Sequence, residues 1–175
     1  MRQLYSDYQL ARLGVRSFEA LMEQFKLVNY ALWDRYNKGE IGKEDIRATR
    51  FPTVLHNLGV TDMSLTKEMG EDFLYRSPRQ TGVMEGTFDL LEYLKPRYPL
   101  HILTNGFDEV QHLKLESAGL AEYFQELITS ETTGSRKPDP AFFQYSLNLV
   151  DTSPEAVIMI GDNLETDIKG AQAAA

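Results

Sequence analysis

The sequence has 175 residues, 42% hydrophobic and 25% charged, with a formal net charge of -8 and no cysteine. An acidic balance excludes a nucleic-acid backbone binder, whose surface must be basic, but leaves room for a small anionic substrate in a local pocket. Without thiolates, disulfide scaffolds and cysteine-ligated zinc are excluded, and no apolar run approaches the roughly 20 residues that span a bilayer. The N-terminal MRQLYSDYQLARLG also lacks the apolar stretch of a signal peptide. A cytoplasmic protein with no membrane and no nucleic-acid polymer as partner is therefore expected.

Helical periodicity fills the chain up to about Gln80. Leu4, Tyr8 and Ala11 share one face of a first short helix, which Gly14 ends. Ser17 is placed to cap a second helix, whose apolar stripe runs Phe18, Leu21, Met22, Phe25, Val28, Leu32, Trp33 and Tyr36. A third helix runs from Lys43 toward Leu58, with a break or bend expected at Pro52 and a stop at Gly59. A fourth begins at Ser64, with Met69, Phe73 and Leu74 inward. Four helices with short links predict a helical domain over residues 1–80.

From Val83 helices alternate with short apolar runs. Helices are expected over Gly86–Lys95, Phe107–Ala118, Pro140–Leu149 and from Leu164 onward. Strands are expected at Leu100–Thr104, Glu126–Thr129 and Ala156–Ile160, the last apolar throughout and suited to burial on both faces. This alternation predicts an α/β fold over residues 81–175, with a Rossmann-like parallel sheet. Three strands make a thin sheet, and the helical pattern is still running at Ala175. Both features predict that part of the core lies outside these residues.

The reactive edge of a parallel sheet lies at the carboxyl ends of its strands. The first strand ends in Thr104-Asn105-Gly106, where a hydroxyl, an amide and a free backbone N–H suit a phosphate oxygen. Lys137 stands before Pro138-Asp139-Pro140, a stiff setting for a cation that neutralises phosphate charge. Asp139 itself reads as a helix cap. The third strand ends in Gly161-Asp162-Asn163, with Asp167 a turn further on. Asp162 is a hard oxygen donor of the kind Mg²⁺ takes, and Asp167 is placed to orient it or a nearby cation. In the helical part, Phe25, Trp33, Tyr36 and Phe73 fall at core spacing, whereas Tyr30, Arg47, Arg50 and Arg79 are candidates for contact with base, sugar or phosphate. The histidines His56, His101 and His112 share no ligand spacing and read as structural.

Thr104, then Lys137, then Gly161-Asp162 with Asp167 resembles the ordered motifs of the haloacid dehalogenase-like hydrolases. Leu32-Trp33, Tyr36, Gly39-Glu40-Ile41 and Ile102 to Phe107 look most like the pyrimidine 5'-nucleotidase-type phosphatases within them. The resemblance implies a four-helix cap on an α/β core and hydrolysis of a phosphate monoester through an aspartyl-phosphate. It assigns Thr104 and Lys137 to the catalytic centre with Asp167 in support, and Thr104, Asn105, Gly106 and Lys137 to substrate binding. It assigns Asp162 to Mg²⁺. The implied nucleophile, an Asp on the first core strand followed two residues later by an acid–base Asp, has no counterpart. Asp7 and Asp34 sit in helical patterns, so that strand and its Asp are expected upstream of Met1.

A nucleoside monophosphate is the substrate this resemblance favours; phosphoglycolate or a sugar phosphate is the alternative. A non-catalytic protein that binds a phosphorylated ligand is the competing class. A monomer and a homodimer are equally open.

Overall fold

In the computed structural model, which describes residues 1–175, Ser17 opens the longest helix: its hydroxyl accepts a hydrogen bond from the Ala20 N–H at 3.1 Å. That helix is preceded by α1 (Arg2–Asp7) and a 3₁₀ turn (Leu10–Leu13) and is itself α2 (Phe18–Asn37); α3 (Lys43–Asn57) and α4 (Thr66–Arg76) follow. The chain divides into two compact units, Met1–Ser77 and Pro78–Ala175.

The first unit is all helix. Leu21, Phe25, Val28, Leu32 and Tyr36 form the buried stripe of α2. The rings of Phe25, Phe51 and Phe73 meet with centroids 5.3–6.0 Å apart, joining α2, α3 and α4. The first predicted helix is split. Gln9 takes a left-handed conformation (φ 47°) between α1 and the 3₁₀ turn, and both Leu4 and Leu10 are buried. The break predicted at Pro52 does not occur: α3 runs through it, with Phe51, Val54 and Leu55 buried around it. Their burial offsets the hydrogen bond that proline cannot donate. The fourth helix starts two residues later than Ser64, because Asp62 Oδ1 accepts from the Ser64 N–H at 2.9 Å and holds a turn there.

The second unit is α/β. It contains α5 (Thr87–Leu94), β1 (His101–Thr104), α6 (Asp108–Ser117), β2 (Glu126–Thr129), α7 (Ser130–Thr133), α8 (Pro140–Leu149) and α9 (Lys169–Ala173). The two strands are parallel, in register from His101 opposite Glu126 to Thr104 opposite Thr129, with α6 in the crossover. Ile128, Phe142 and Phe143 form the core, flanked by Leu103, Val150, Ala171 and Ala174.

The third predicted strand is corrected. Ala156 ends a 3₁₀ turn and residues 157–160 form no strand, with Val157, Ile158 and Ile160 at 45%, 88% and 83% exposure. An apolar run becomes a strand only when its N–H and C=O groups find a neighbour, and the sheet here is β1 and β2 alone. The helix expected from Leu164 begins as a π-type turn, Leu164–Ile168, before α9. No helix is long and apolar enough to cross a membrane.

Two phenols are tied to carboxylates, one in each unit. Tyr8 donates to Asp72 at 3.1 Å and Tyr123 to Glu92 at 2.6 Å. Burial and then Asp72 push Tyr8 up to about 12; the Glu92 hydrogen bond and then burial push Tyr123 up to about 12. A raised pKa favours the protonated phenol, so this stabilisation is complete below the ordinary value of about 10 and is lost as pH climbs through about 12. In a tyrosinate absorbance titration, a step near pH 12 is expected to shrink in both Tyr8→Phe and Tyr123→Phe.

Candidate functional site

At the carboxyl end of β1, Thr104 Oγ1 accepts from the Gly106 N–H at 3.0 Å, turning the chain sharply. Gly106 is buried, and a Cβ there would fall 1.9 Å from Gln111 Nε2. Between them, Asn105 spends both ends of its amide on one residue. Its Nδ2 donates to the Lys137 carbonyl at 2.9 Å and its Oδ1 accepts from the Lys137 N–H at 2.8 Å. The Lys137 backbone is thereby locked to the end of β1 across 32 residues of sequence. On its other side a cis peptide leads into Pro138, and Asp139 caps α8 by accepting from the Ala141 N–H at 2.9 Å.

The Lys137 side chain points inward. Its Nζ donates to the Leu103 carbonyl at 2.7 Å and to Asp167 Oδ1 at 2.7 Å. Both members of this ion pair are only 8% exposed at the side chain. Asp167 is held by its own loop: Asn163 N–H donates to Oδ2 and Thr166 Oγ1 to Oδ1, each at 3.3 Å. Asn163 in turn caps the following turn, its Oδ1 accepting from the N–H groups of Glu165 and Thr166 at 3.0 Å each. An ammonium has three N–H donors. Two are spent here on protein oxygens, and the third has no protein acceptor.

The structure thus brings the loops carrying Thr104, Lys137 and Asp167 together in one place. Asp162 precedes the turn that carries Asp167 (Leu164–Ile168) and is exposed. No group of three or more His, Asp or Glu side chains is arranged to hold a metal ion. Glu165 is engaged with Lys169 at 2.6 Å and Asp167 with Lys137. One exposed carboxylate fits a cation such as Mg²⁺, which keeps several waters and leans on substrate phosphate, but does not make a cage by itself.

Sequence reasoning missed two parts of this arrangement. The Leu103 carbonyl is a backbone acceptor and leaves no trace in residue identity. Ser130, buried at the start of α7, donates to the Asn105 carbonyl at 3.3 Å; its only signal was its place directly after a strand. Gly161 has a definite steric role. A Cβ there would stand 2.6 Å from Asp167 Cβ and 2.3 Å from its Oδ2. Gly161→Ala is expected to push Asp167 off Lys137 and cost about 1–3 kcal/mol in denaturant unfolding.

With these loops in place, the family follows. The model of the haloacid dehalogenase-like hydrolases matches residues 7–175. The chain belongs to that family. It is 33% identical over 153 residues to YfnB of Bacillus subtilis (strain 168), described as a HAD-hydrolase, covering 86% of this chain and 64% of that protein. It is 31% identical over 160 residues to PynA of Streptococcus pneumoniae (strain ATCC BAA-255 / R6), a pyrimidine 5'-nucleotidase, covering 90% and 66%. It is also 31% identical over 171 residues to YjjG of Escherichia coli (strain K12), another pyrimidine 5'-nucleotidase, covering 97% and 72%. The chain therefore spans about two thirds of the length of these relatives. The crystal structure of YfnB bound to magnesium superposes with a TM-score of 0.86 at 28% identity, covering 99% of this chain and 75% of that one.

Proposed function

We propose that these residues carry the phosphate-holding part of a Mg²⁺-dependent phosphate monoester hydrolase, with Met1–Ser77 as its cap and a nucleoside monophosphate as substrate. One observation carries this. Lys137 is buried, fixed through backbone and side chain, and retains one N–H for a ligand oxygen. A cation held so rigidly in a desolvated setting stabilises charge developing on a phosphoryl group. Thr104 contributes a hydroxyl hydrogen at the end of the same strand; the Gly106 N–H, expected to face phosphate, is instead spent on Thr104 Oγ1. Asn105 acts through Lys137, whose backbone it grips. Asp167 keeps the ammonium aimed.

Asp162 is the residue we assign to Mg²⁺, which when bound supplies Lewis-acid polarisation of the phosphoryl oxygens. The sequence holds no Asp-x-Asp-x-Thr. We therefore place the nucleophile that forms the aspartyl-phosphate on a strand outside these 175 residues. The nucleotide class rests on likeness to PynA and YjjG, both described as pyrimidine 5'-nucleotidases. A cytoplasmic setting suits such a substrate.

The test is a phosphatase screen on the form bearing that strand, with Mg²⁺ and with EDTA, across pyrimidine monophosphates, phosphoglycolate and sugar phosphates. Turnover of the pyrimidine monophosphates ahead of the others, abolished by EDTA and by Asp162→Asn, is expected. Equal rates across the panel remove the nucleotide assignment, and EDTA-insensitive turnover removes the metal assignment. The missing motif also favours a second reading, a non-catalytic receptor for phosphorylated ligands. Saturable nucleotide binding without turnover in every form would establish it.

A further inference from the structure

Arg50 stands out among the charged groups of the helical unit. It lies in the middle of α3, is only 5% exposed, and belongs to the inward face with Ile46, Val54 and Leu55. No carboxylate pairs with it. Its Nε is sealed from solvent with no hydrogen-bond partner, and its recorded partner is the ring of Phe73, 5.2 Å from the guanidinium carbon. A ring beneath the guanidinium satisfies its face but none of its N–H groups, which radiate in the plane.

Three acids of α3 and α4 are committed elsewhere. Glu44 pairs with Arg47 at 3.0 Å, Asp72 with Arg76 at 2.6 Å, and Asp45 accepts from the Gly42 N–H at 2.8 Å. Arg47, one helical turn before Arg50, adds a second positive charge to that stretch of α3. Burial, with Arg47 second, lowers Arg50 to about 10, so it stays charged at neutral pH. A buried charge with open donors is costly unless something pairs with it. No carboxylate of the helical unit does; the Phe73 ring covers only the face of the guanidinium.

We propose that Arg50, stacked on Phe73 and reinforced by Arg47, anchors a binding site for an oxyanion, the phosphate or carboxylate group of a small ligand. A planar fork of donors matches two oxygens of such a group at once, which a lysine cannot do. The site is built entirely from α3 and α4. It depends on no residue of the Lys137 loop, so its failure and the failure of the hydrolase assignment are separable.

The test is NMR of the guanidinium Nε–H of Arg50 in the full chain, titrated with inorganic phosphate and with acetate against chloride at matched ionic strength. A saturable shift with phosphate or acetate, absent with chloride, is expected. Saturation by phosphate alone assigns a phosphate group, and by acetate alone a carboxylate. Arg50→Met removes a buried unpaired charge, so without anion it is expected to melt no lower than the parent. It should also lose the anion-induced rise in Tm. Arg50→Lys, charged but without the fork, should bind at least about tenfold more weakly. An unmoved Nε–H signal, an equal response to chloride, or unchanged anion affinity in Arg50→Met would overturn the proposal.

Discussion

Lys137→Met is expected to lower the free energy of unfolding by about 3–5 kcal/mol in denaturant titrations, the cost of leaving a buried partner charged and alone. Asp167 has 8% of its side chain exposed and accepts its shortest hydrogen bond from Lys137, at 2.7 Å. Its other donors, Asn163 N–H and Thr166 Oγ1, stand at 3.3 Å and cannot replace an ammonium. The Leu103 carbonyl loses its side-chain donor at the same time. Asp167→Asn alone should cost less, because the Lys137 ammonium keeps the Leu103 carbonyl and an amide oxygen. The double variant Lys137→Met with Asp167→Asn is expected to recover much of the loss, giving a coupling energy of about 1–3 kcal/mol in a double-mutant cycle. Additive losses would mean that the two side chains do not act as a pair. If the form bearing the missing strand turns over phosphate esters as proposed, all three variants should be inactive. Recovery of stability without recovery of activity would then separate the two roles of Lys137.

That pair also shows what residue identity conveyed and what it did not. The order of Thr104, Lys137, Asp162 and Asp167 marked the loops at one edge of a parallel sheet, and three of the four meet there. Their individual environments were not legible. Lys137 before a proline looks like a surface cation, yet Asn105 draws its backbone in and Asp167 compensates its burial. Asp167 looks like a solvated acid in the first turn of a helix, and only the tertiary pairing makes it a buried one. Among the elements, those whose pattern reports a local preference appeared where expected: the stripe of α2, its Ser17 cap, and α8 with its proline in the first turn. The segment 157–160 did not, although it is the most strand-like in composition. Helices close their hydrogen bonds internally, whereas a strand depends on a neighbour that its own residues do not encode. For the same reason a break at Pro52 did not follow: the local penalty was visible, but the packing of Phe51, Val54 and Leu55 that keeps α3 continuous was not.

Phe142→Ala is expected to cost about 3–5 kcal/mol, because its ring is fully buried at the centre of the second unit and the small core around it has little freedom to close the gap. Phe142 packs with Ile128 of β2 and meets Phe143 edge to face, with centroids 5.7 Å apart and planes at 69°. Its place in the chain extends the damage to the candidate site. It stands in the first turn of α8, its N–H donating to the Asp139 carbonyl at 3.0 Å, and Asp139 caps that helix just after Lys137 and Pro138. Phe143 supports the other side, since a Cβ on Gly170 would fall 2.6 Å from its ring and 3.0 Å from the Pro138 backbone. The α8–α9 contact therefore leaves no slack between the loop of Lys137 and the helix that follows Asp167. Losing the ring should loosen both loops together, read as faster amide exchange at Asn105, Lys137 and Asp167 than in the parent. Phe142→Leu, which keeps most of the apolar volume, should cost about 1 kcal/mol and leave those amides protected. Exchange at Lys137 that is unchanged in Phe142→Ala would show that Asn105, Leu103 and Asp167 hold the loop without the ring.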